Sequence, residues 1–502
     1  MTRRRSALLS SHDKEAIWPL ARALADMGWD IYASHNTSRF LSQRGLEAHA
    51  LEDLSGISTL MGGRVKTLHP AIHGGILARD TEDDLSALAD LGGVPFDLVG
   101  VGPYPFADGL ASGLDEEGMI ELIDIGGPAM VRSAAKNFGR VLVVVDRRDD
   151  AAVISALREG QDDMAFRRQL AARAFAFTAA YDSAVAAYLA PATAPLALVL
   201  PFRRELRYGT NPHQEARIYG PYPEAGVDLF GHLEREGKPI SLNNLSDAER
   251  ALEAVADLAG PSAVIVKHGT PCGAASAPTL EEAYEAALAT DREAAFGGIA
   301  AVNCPLDVPS AQVAMEVFLE VLIAPGMDPG VEEILARRPG LRLIVVPQPW
   351  PPARLRLRST GGNVIVEEAD ARDADPSSWR HVAGPGAARA EDLVFAWKVA
   401  KHVASNAIVV AAGTRTGGIG GGQVSRIRAA RDAIGRAGAL AQGAVLASDG
   451  FIPFADVIEE AASAGIAAVV EPGGSKGDEA VCEACRRAGM DLYFTGIRHF
   501  RH

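Results

Sequence analysis

The chain has 502 residues, 48% hydrophobic and 23% charged, enough apolar mass for roughly two to four domains. Its formal charge of −15 argues against a protein that coats nucleic acid, and four cysteines are too few for a disulfide framework. No uninterrupted apolar run reaches the ~18 residues of a membrane span, and the apolar run in MTRRRSALLSSHDK is too short for a signal peptide, so a cytoplasmic globular protein is expected.

The first 190 residues alternate helical and strand patterns. DKEAIWPLARALADMGW has helical spacing. DLVGVGPYPF and RVLVVVD read as buried strands of a parallel sheet, and DDAAVISALREG and DDMAFRRQLAARAFAFTAAYDSAVAAYLA as helices. PATAPLALVLPFRR, with three prolines in fourteen residues, reads as a linker. A second α/β region opens near Leu206, with strands at SAVIVKHG, GGIAAVN and AIVVAAG; VVPQPWPPARLRLRSTGGN divides it again near residue 355. No short-period repeat is visible.

Several clusters carry chemistry. In GGRVKTLHPAIHGG, Arg64, Lys66, Thr67, His69 and His73 lie among glycines; a cation, a hydroxyl and a flexible backbone suit a phosphate or other oxyanion. The competing reading is a solvated basic loop, and Pro70 between the histidines, with no acidic partner following, disfavours a metal. In IDIGGPAMVRSAAKNFG, Asp124 precedes a Gly-Gly-Pro turn, and Lys136 follows Arg132 by four residues on one helix face. Such a pair calls for an anion nearby or is a solvated face. LRYGTNPHQEA packs Arg207, Tyr208, Asn211, His213 and Gln214 into one turn, and GIGGGQVSRIRAA reads as a Gly-rich loop entering a helix, although its spacing fits no phosphate-binding motif. The lone CEAC reads as helix packing rather than zinc. In VIVKHGTPCGAA, Lys267 and His268 stand where a buried strand runs out. Only eight of the 49 basic residues are lysines, and lysine, unlike arginine, tunes its pKa on burial.

Together with DLVFAWKVAKHVASNAIVV, LASDGFIPF, VVEPGGSKGDEAV and the terminal GIRHFRH, these segments run in one order from about Leu8 to His502. They resemble the bifunctional AICAR transformylase/IMP cyclohydrolase family of purine biosynthesis. The resemblance implies an α/β chain with a methylglyoxal-synthase-like cyclohydrolase domain at 1–195 and a transformylase built of two cytidine-deaminase-like subdomains, 196–355 and 356–502. It implies 10-formyltetrahydrofolate as co-substrate, no metal, no nucleic-acid or membrane partner, and a homodimer that shares the transformylase site. By resemblance, His268 is the base for the AICAR amine, Lys267 stabilises the developing oxyanion and Asn406 lies beside the reacting groups. Arg207, Tyr208, Gly298, Glu320, Arg426, Phe451 and Arg498 match nucleotide positions; Ile427, Pro453, Phe454 and Asp456 match the folate side. For the cyclohydrolase, Lys66, Tyr104, Asp124 and Lys136 match the chemical positions, and Lys14, Ser34, Arg64 and Thr67 the nucleotide positions.

The departures from the family pattern cluster in the first half. His12 stands in SSHDK where the family has serine, His35 and Asn36 in ASHNTS replace a glycine pair, and Gly102 in GPYPF replaces asparagine. A glycine pair allows close approach to phosphate and positive φ, so His35 and Asn36 are expected to narrow that pocket or change its anion. The same residues leave room for other readings: a paralogue acting on an AICAR-like nucleotide, for instance a C-nucleotide, a transformylase with an impaired cyclohydrolase, or a nucleotide-binding sensor.

Overall fold

The computed structural model describes residues 3–57, 60–61, 64–190, 196–221, 226–372, 375–388 and 390–502. Gly62 and Gly63 of the basic loop, and the first five residues of the expected linker with the boundary at 195, lie outside the described residues. The chain divides into two compact units, Met1–Val199 and Leu200–His502.

The first unit is built on five parallel strands: β1 Ser6–Ser11, β2 Asp30–Ala33, β3 His49–Ala50, β4 Leu98–Gly102 and β5 Leu142–Val144, in the order β3-β2-β1-β4-β5. The runs are apolar because both faces are covered: Ala7, Leu8, Leu9, Leu98, Val99 and Leu142 are fully buried. The helix Lys14–Asp26 starts at Asp13, whose carboxylate accepts from the N–H of Ala16, and it buries Ile17, Leu20 and Leu24 along one stripe. From β1 the chain winds outward through β2 and β3, then returns to β4 on the other side of β1. The C-terminal ends of β1 and β4 therefore flank the point where winding reverses, the place where open α/β sheets bind ligands.

The second unit contains one topology twice. Its strands are β6 Phe202–Glu205, β7 Arg217–Tyr219, β8 Leu233–Arg235, β9 Ser262–Lys267, β10 Thr270–Ser276, β11 Gly298–Val302, β12 Leu319–Ala324 and β13 Arg342–Val345. The ribbon β14 Leu355–Thr360 and β15 Asn363–Glu368 follows, then β16 Arg380–Ala383, β17 Ile408–Ala411, β18 Thr416–Gly420, β19 Val445–Ser448, β20 Ala468–Glu471 and β21 Asp491–Phe494. The sheets β10-β9-β11-β12-β13-β8 and β18-β17-β19-β20-β21-β16 have matching orders and matching parallel and antiparallel pairings. Their edges β10 and β18 abut: Ser276 donates its N–H to the carbonyl of Thr414 at 2.8 Å, and Ala274 donates its own to Thr416 Oγ1 at 3.0 Å. One apolar core, including Leu252, Val266, Trp397 and Val409, belongs to both repeats.

One expectation is corrected. Gly418 and Gly420 lie in β18 rather than in a loop. The helix Arg426–Ala437 packs so closely that a Cβ on either glycine would stand 2.1 Å from a helix carbonyl, of Ala433 or Ala429; the glycines serve packing, not phosphate. His35 and Asn36 open the helix His35–Gln43 behind the N-cap Ser34. Both are exposed and neither has positive φ, so this turn does not require glycine.

Candidate active sites

At the reversal point of the first sheet, β1 ends in Ser11, His12, Asp13 and Lys14. The N–H of His12 donates to the carbonyl of Gly102 at 2.8 Å, and the Lys14 ammonium donates to the carbonyls of Ser11 (3.2 Å) and His12 (2.9 Å). The His12 ring meets Tyr104 edge-on, centroids 5.5 Å apart. Gly102 has a packing reason: a Cβ there would lie 2.4 Å from Ser11 Oγ, which donates to the carbonyl of Asp13 at 2.6 Å. Ser34 Oγ bonds Ser10 Oγ and Thr37 Oγ1, so its hydroxyl is tied into the strand ends.

Asp124 closes this cluster. Burial pushes its carboxyl above the ordinary range, against the N–H groups of Gly127, Tyr104 and Gly126 and the charge of Lys66, which pull it down. Its Oδ1 accepts from Gly127 at 2.9 Å, and its own N–H donates to the Tyr181 hydroxyl at 2.8 Å. Thr67 is buried against Gly126. Burial lowers the pKa of Lys14; Asp13 opposes this and the charge of Lys66 adds to it. Lys14, Lys66 and Asp124 thus form one electrostatic group, with the N–H of Tyr104 against Asp124. Arg64 is exposed and paired with Glu121.

Lys136 does not join them. It ends the helix Gly126–Lys136, whose first residue touches Thr67; eleven residues carry the chain roughly 15 Å along the axis. Lys136 and Arg132 instead line a shallow groove with Phe138, Arg168 and Phe175. Arg132 lies over Phe175 and donates to Thr178 Oγ1. The two histidines of the basic loop have local partners: His69 Nδ1 caps its helix by accepting from Ala71, and His73 Nδ1 meets Ser133 Oγ at 3.0 Å.

In the second unit, Lys267 and Thr270 pair as the last residues of a two-residue hairpin. The central residues have φ of +53° (His268) and +77° (Gly269), the signature of a tight primed turn. Asp247, from the helix Leu242–Ala256, accepts from the N–H of His268 at 3.1 Å and of Gly269 at 2.7 Å. The left-handed backbone is thereby held, and the imidazole stands exposed. The Lys267 ammonium donates to the carbonyls of Phe296 (3.0 Å) and Gly297 (2.8 Å). Gly298 begins β11, packed under the carbonyls of Ala295 and Val266.

The same hairpin meets the loop before Arg426, where Gly421 packs against Thr270. Asn406 Nδ2 donates to the carbonyl of Gln423 at 2.8 Å. Asp449, fully buried, accepts from Ser405 Oγ and from the N–H of Ala407 and pairs with Arg426. Arg426 is itself buried and is committed to this inner clamp. Glu320 is likewise paired, with the buried Arg342 at 2.5 Å. Phe451, Phe454, Asp456 and Arg498 are exposed, Pro453 and Ile427 half-buried. Arg207 lies over Tyr208, and Arg498 over Phe500. A cavity of about 450 Å³ between Leu252, Trp350, Arg356 and His402 contains none of these candidate residues.

Asp247, Asp449 and Gln423 are functional neighbours that the sequence did not single out. Asp449 had one signal, a carboxylate ending an apolar strand. Among the described residues no three His, Cys, Asp or Glu side chains are grouped to hold a metal; Cys482 and Cys485 pack in an apolar core. No helix among them is long and apolar enough to cross a membrane.

Comparison with known proteins agrees with two chemical clusters in one chain. Residues 16–129 match the MGS-like domain and 134–436 the AICARFT/IMPCHase bienzyme. The chain belongs to the AICARFT/IMPCHase bienzyme family. Relatives named bifunctional purine biosynthesis protein PurH match it end to end. That of Chloroflexus aurantiacus is 45% identical, covering 99% of this chain and 98% of its own. That of Sorangium cellulosum is 45% identical (99% and 100%), and that of Cyanothece sp. 43% (99% and 99%). A solved chain titled "Crystal structure of ForH" is 39% identical over 38% of this chain and all of its own, with a TM-score of 0.34. The bienzyme match joins the two units in one family, and the MGS-like match covers the unit that carries Lys66, Tyr104 and Asp124.

Proposed function

We infer that the chain transfers a formyl group to the 5-amino group of AICAR and then closes the product to IMP with loss of water, the last two steps of de novo purine biosynthesis. The end-to-end match to bifunctional relatives carries this reading. The donor is 10-formyltetrahydrofolate.

In formyl transfer the amine nitrogen attacks the formyl carbon, the bond from that carbon to the folate nitrogen breaks, and tetrahydrofolate leaves with a proton. His268 accepts the amine proton; its exposed ring on a rigid turn supports that role. Lys267 spends two N–H groups on carbonyls, and its third serves the oxyanion. With Asn406 Nδ2 held by Gln423, its Oδ1 accepts from the substrate. Arg207, Tyr208 and Arg498 hold the nucleotide; Phe451, Pro453, Phe454, Ile427 and Asp456 form the donor side. Arg426 and Glu320 act one layer behind, through Asp449 and Arg342. The exposure of Phe451, Phe454 and Asp456 suits a site completed by a second copy in a homodimer.

In ring closure the carboxamide nitrogen attacks the formamide carbon, and the resulting hydroxyl leaves as water. Asp124, kept basic by burial, takes the amide proton. Lys66 and Tyr104 stabilise the departing oxygen, while Lys14, Ser34 and Thr67 bind the phosphate side. Lys136 lies too far along its helix for a chemical step in the same copy. The test is a two-stage assay with AICAR and 10-formyltetrahydrofolate, following tetrahydrofolate release and IMP separately. Both signals are expected; neither, from folded protein, overturns the assignment.

A further inference from the structure

The strand β20 reads Ala-Val-Val-Glu, and its final residue, Glu471, is a carboxylic acid with 0% exposure. It stands where three loops meet, those leaving the adjacent strands β19, β20 and β21. Its Oε2 accepts from the N–H of Ile452 (3.0 Å) and of Gly473 (3.2 Å). Its carbonyl accepts from Thr495 at 2.9 Å, and Thr495 Oγ1 ties the turn before Arg498. Ile452 is fully buried between the exposed Phe451 and the Pro453–Phe454 pair. Gly477 backs the same loop so closely that a Cβ there would lie 2.2 Å from the carbonyl of Pro453.

Oε1, equally buried, has no hydrogen-bond partner among the described residues. The charged and titratable groups that face it are Arg426, whose charge is met by Asp449, then Asp478 and the thiols of Cys482 and Cys485. An ionised carboxylate is poorly provided for here, whereas a neutral acid keeps both N–H bonds on its carbonyl oxygen.

We propose that Glu471 is a positioning residue for formyl transfer, whose neutral carboxyl holds the Phe451–Phe454 segment against the folate-type donor and whose ionisation releases it. This rests on the transformylase reading above. The physical reason is linkage. Burial raises the Glu471 pKa to about 7, against the N–H groups of Ile452 and Gly473. In an opened, solvated loop the group returns to the ordinary carboxylate range, so rising pH favours the open loop.

The test measures KM for 10-formyltetrahydrofolate and kcat of formyl transfer on the full chain from about pH 5 to about pH 8, for wild type, Glu471→Gln and Glu471→Ala. The expected wild-type result is a donor KM that rises with pH between the ordinary carboxylate range and about 7, by up to roughly tenfold per pH unit, and levels off above about 7, with KM for AICAR much less affected. In Glu471→Gln, which keeps the acceptor and cannot ionise, donor KM is expected to stay within about twofold across the range. Glu471→Ala is expected to have a high donor KM at every pH while IMP formation from the formylated nucleotide persists. A flat wild-type KM, or a Glu471→Gln enzyme that tracks the wild-type slope, overturns the proposal; these two outcomes decide it even where the alanine variant does not fold. Absence of any formyl transfer in wild type overturns the transformylase reading itself.

Discussion

His268→Gly removes the candidate base and a backbone cost together, so stability and activity move in opposite directions. His268 sits at φ +53°, where an L-residue costs about 1–2 kcal/mol relative to a right-handed conformation. Glycine escapes this cost but adds unfolded-chain entropy worth about 0.4–1 kcal/mol. The net expectation is His268→Gly more stable than His268→Ala by about 1 kcal/mol. Formyl transfer falls in both by about 10²–10⁴-fold, the usual worth of a positioned base. Hydrogen exchange in urea on peptides from 262–276 reads the stability, and tetrahydrofolate release the activity. If the alanine variant is as stable as the glycine variant, the turn stores no strain at His268; if either variant keeps wild-type turnover, His268 is not the base.

Other perturbations separate the two units. Gly102→Asn drives a Cβ to 2.4 Å from Ser11 Oγ and is expected to cost about 1–3 kcal/mol as overpacking. Adding Ser11→Ala recovers about 1 kcal/mol, read as the thermal midpoint of the N-terminal unit; no recovery refutes that contact. Asp124→Asn is expected to abolish IMP formation and spare formyl transfer. Because burial raises the Asp124 pKa and a base must be ionised, wild-type ring closure should fail with falling pH above the ordinary carboxylate range, as a pH–rate profile would record. Asp257 is half-buried, which raises its pKa, but the hydrogen bond from His402 and the charges of His402 and Lys401 outweigh this and hold it well below the usual range. Its stabilisation is therefore full above the ordinary aspartate pKa of about 3.9 and lost as pH falls through the lowered value. Asp257→Asn, which removes the carboxylate that Lys401 and His402 share, is expected to cost about 1–3 kcal/mol near neutrality and to flatten the acid-unfolding curve.

Much of this was legible in the chain. Buried apolar runs located β4, β5, β9, β11 and β17, and the abrupt polar pair after Val266 marked a turn that carries chemistry. What spacing does not encode is direction. Lys136 shares a face with Arg132, but only the start of the helix at Gly126 reveals that the face leads away from Asp124. Glycine-rich GIGGG was ambiguous because glycine permits both phosphate approach and close helix packing, and the nearby Ala429 and Ala433 carbonyls decide for packing. Asp247 escaped notice because its partners lie about twenty residues further along the chain, across a helix-to-turn approach that no local pattern records. Arg426 gave no hint of burial, since a clamp to Asp449 and a contact to phosphate look alike in sequence.

The abutting edges of β10 and β18 bear on how the chain is made. An unpaired edge strand is a template for aggregation, and each repeat of the second unit ends in one that the other covers through Ser276, Thr414 and Thr416. The strand β10 (Thr270–Ser276) is synthesised more than a hundred residues before β18 (Thr416–Gly420), with its outer edge unpaired until then. A fragment ending near residue 355, which keeps that edge open, is expected to precipitate where the whole chain does not.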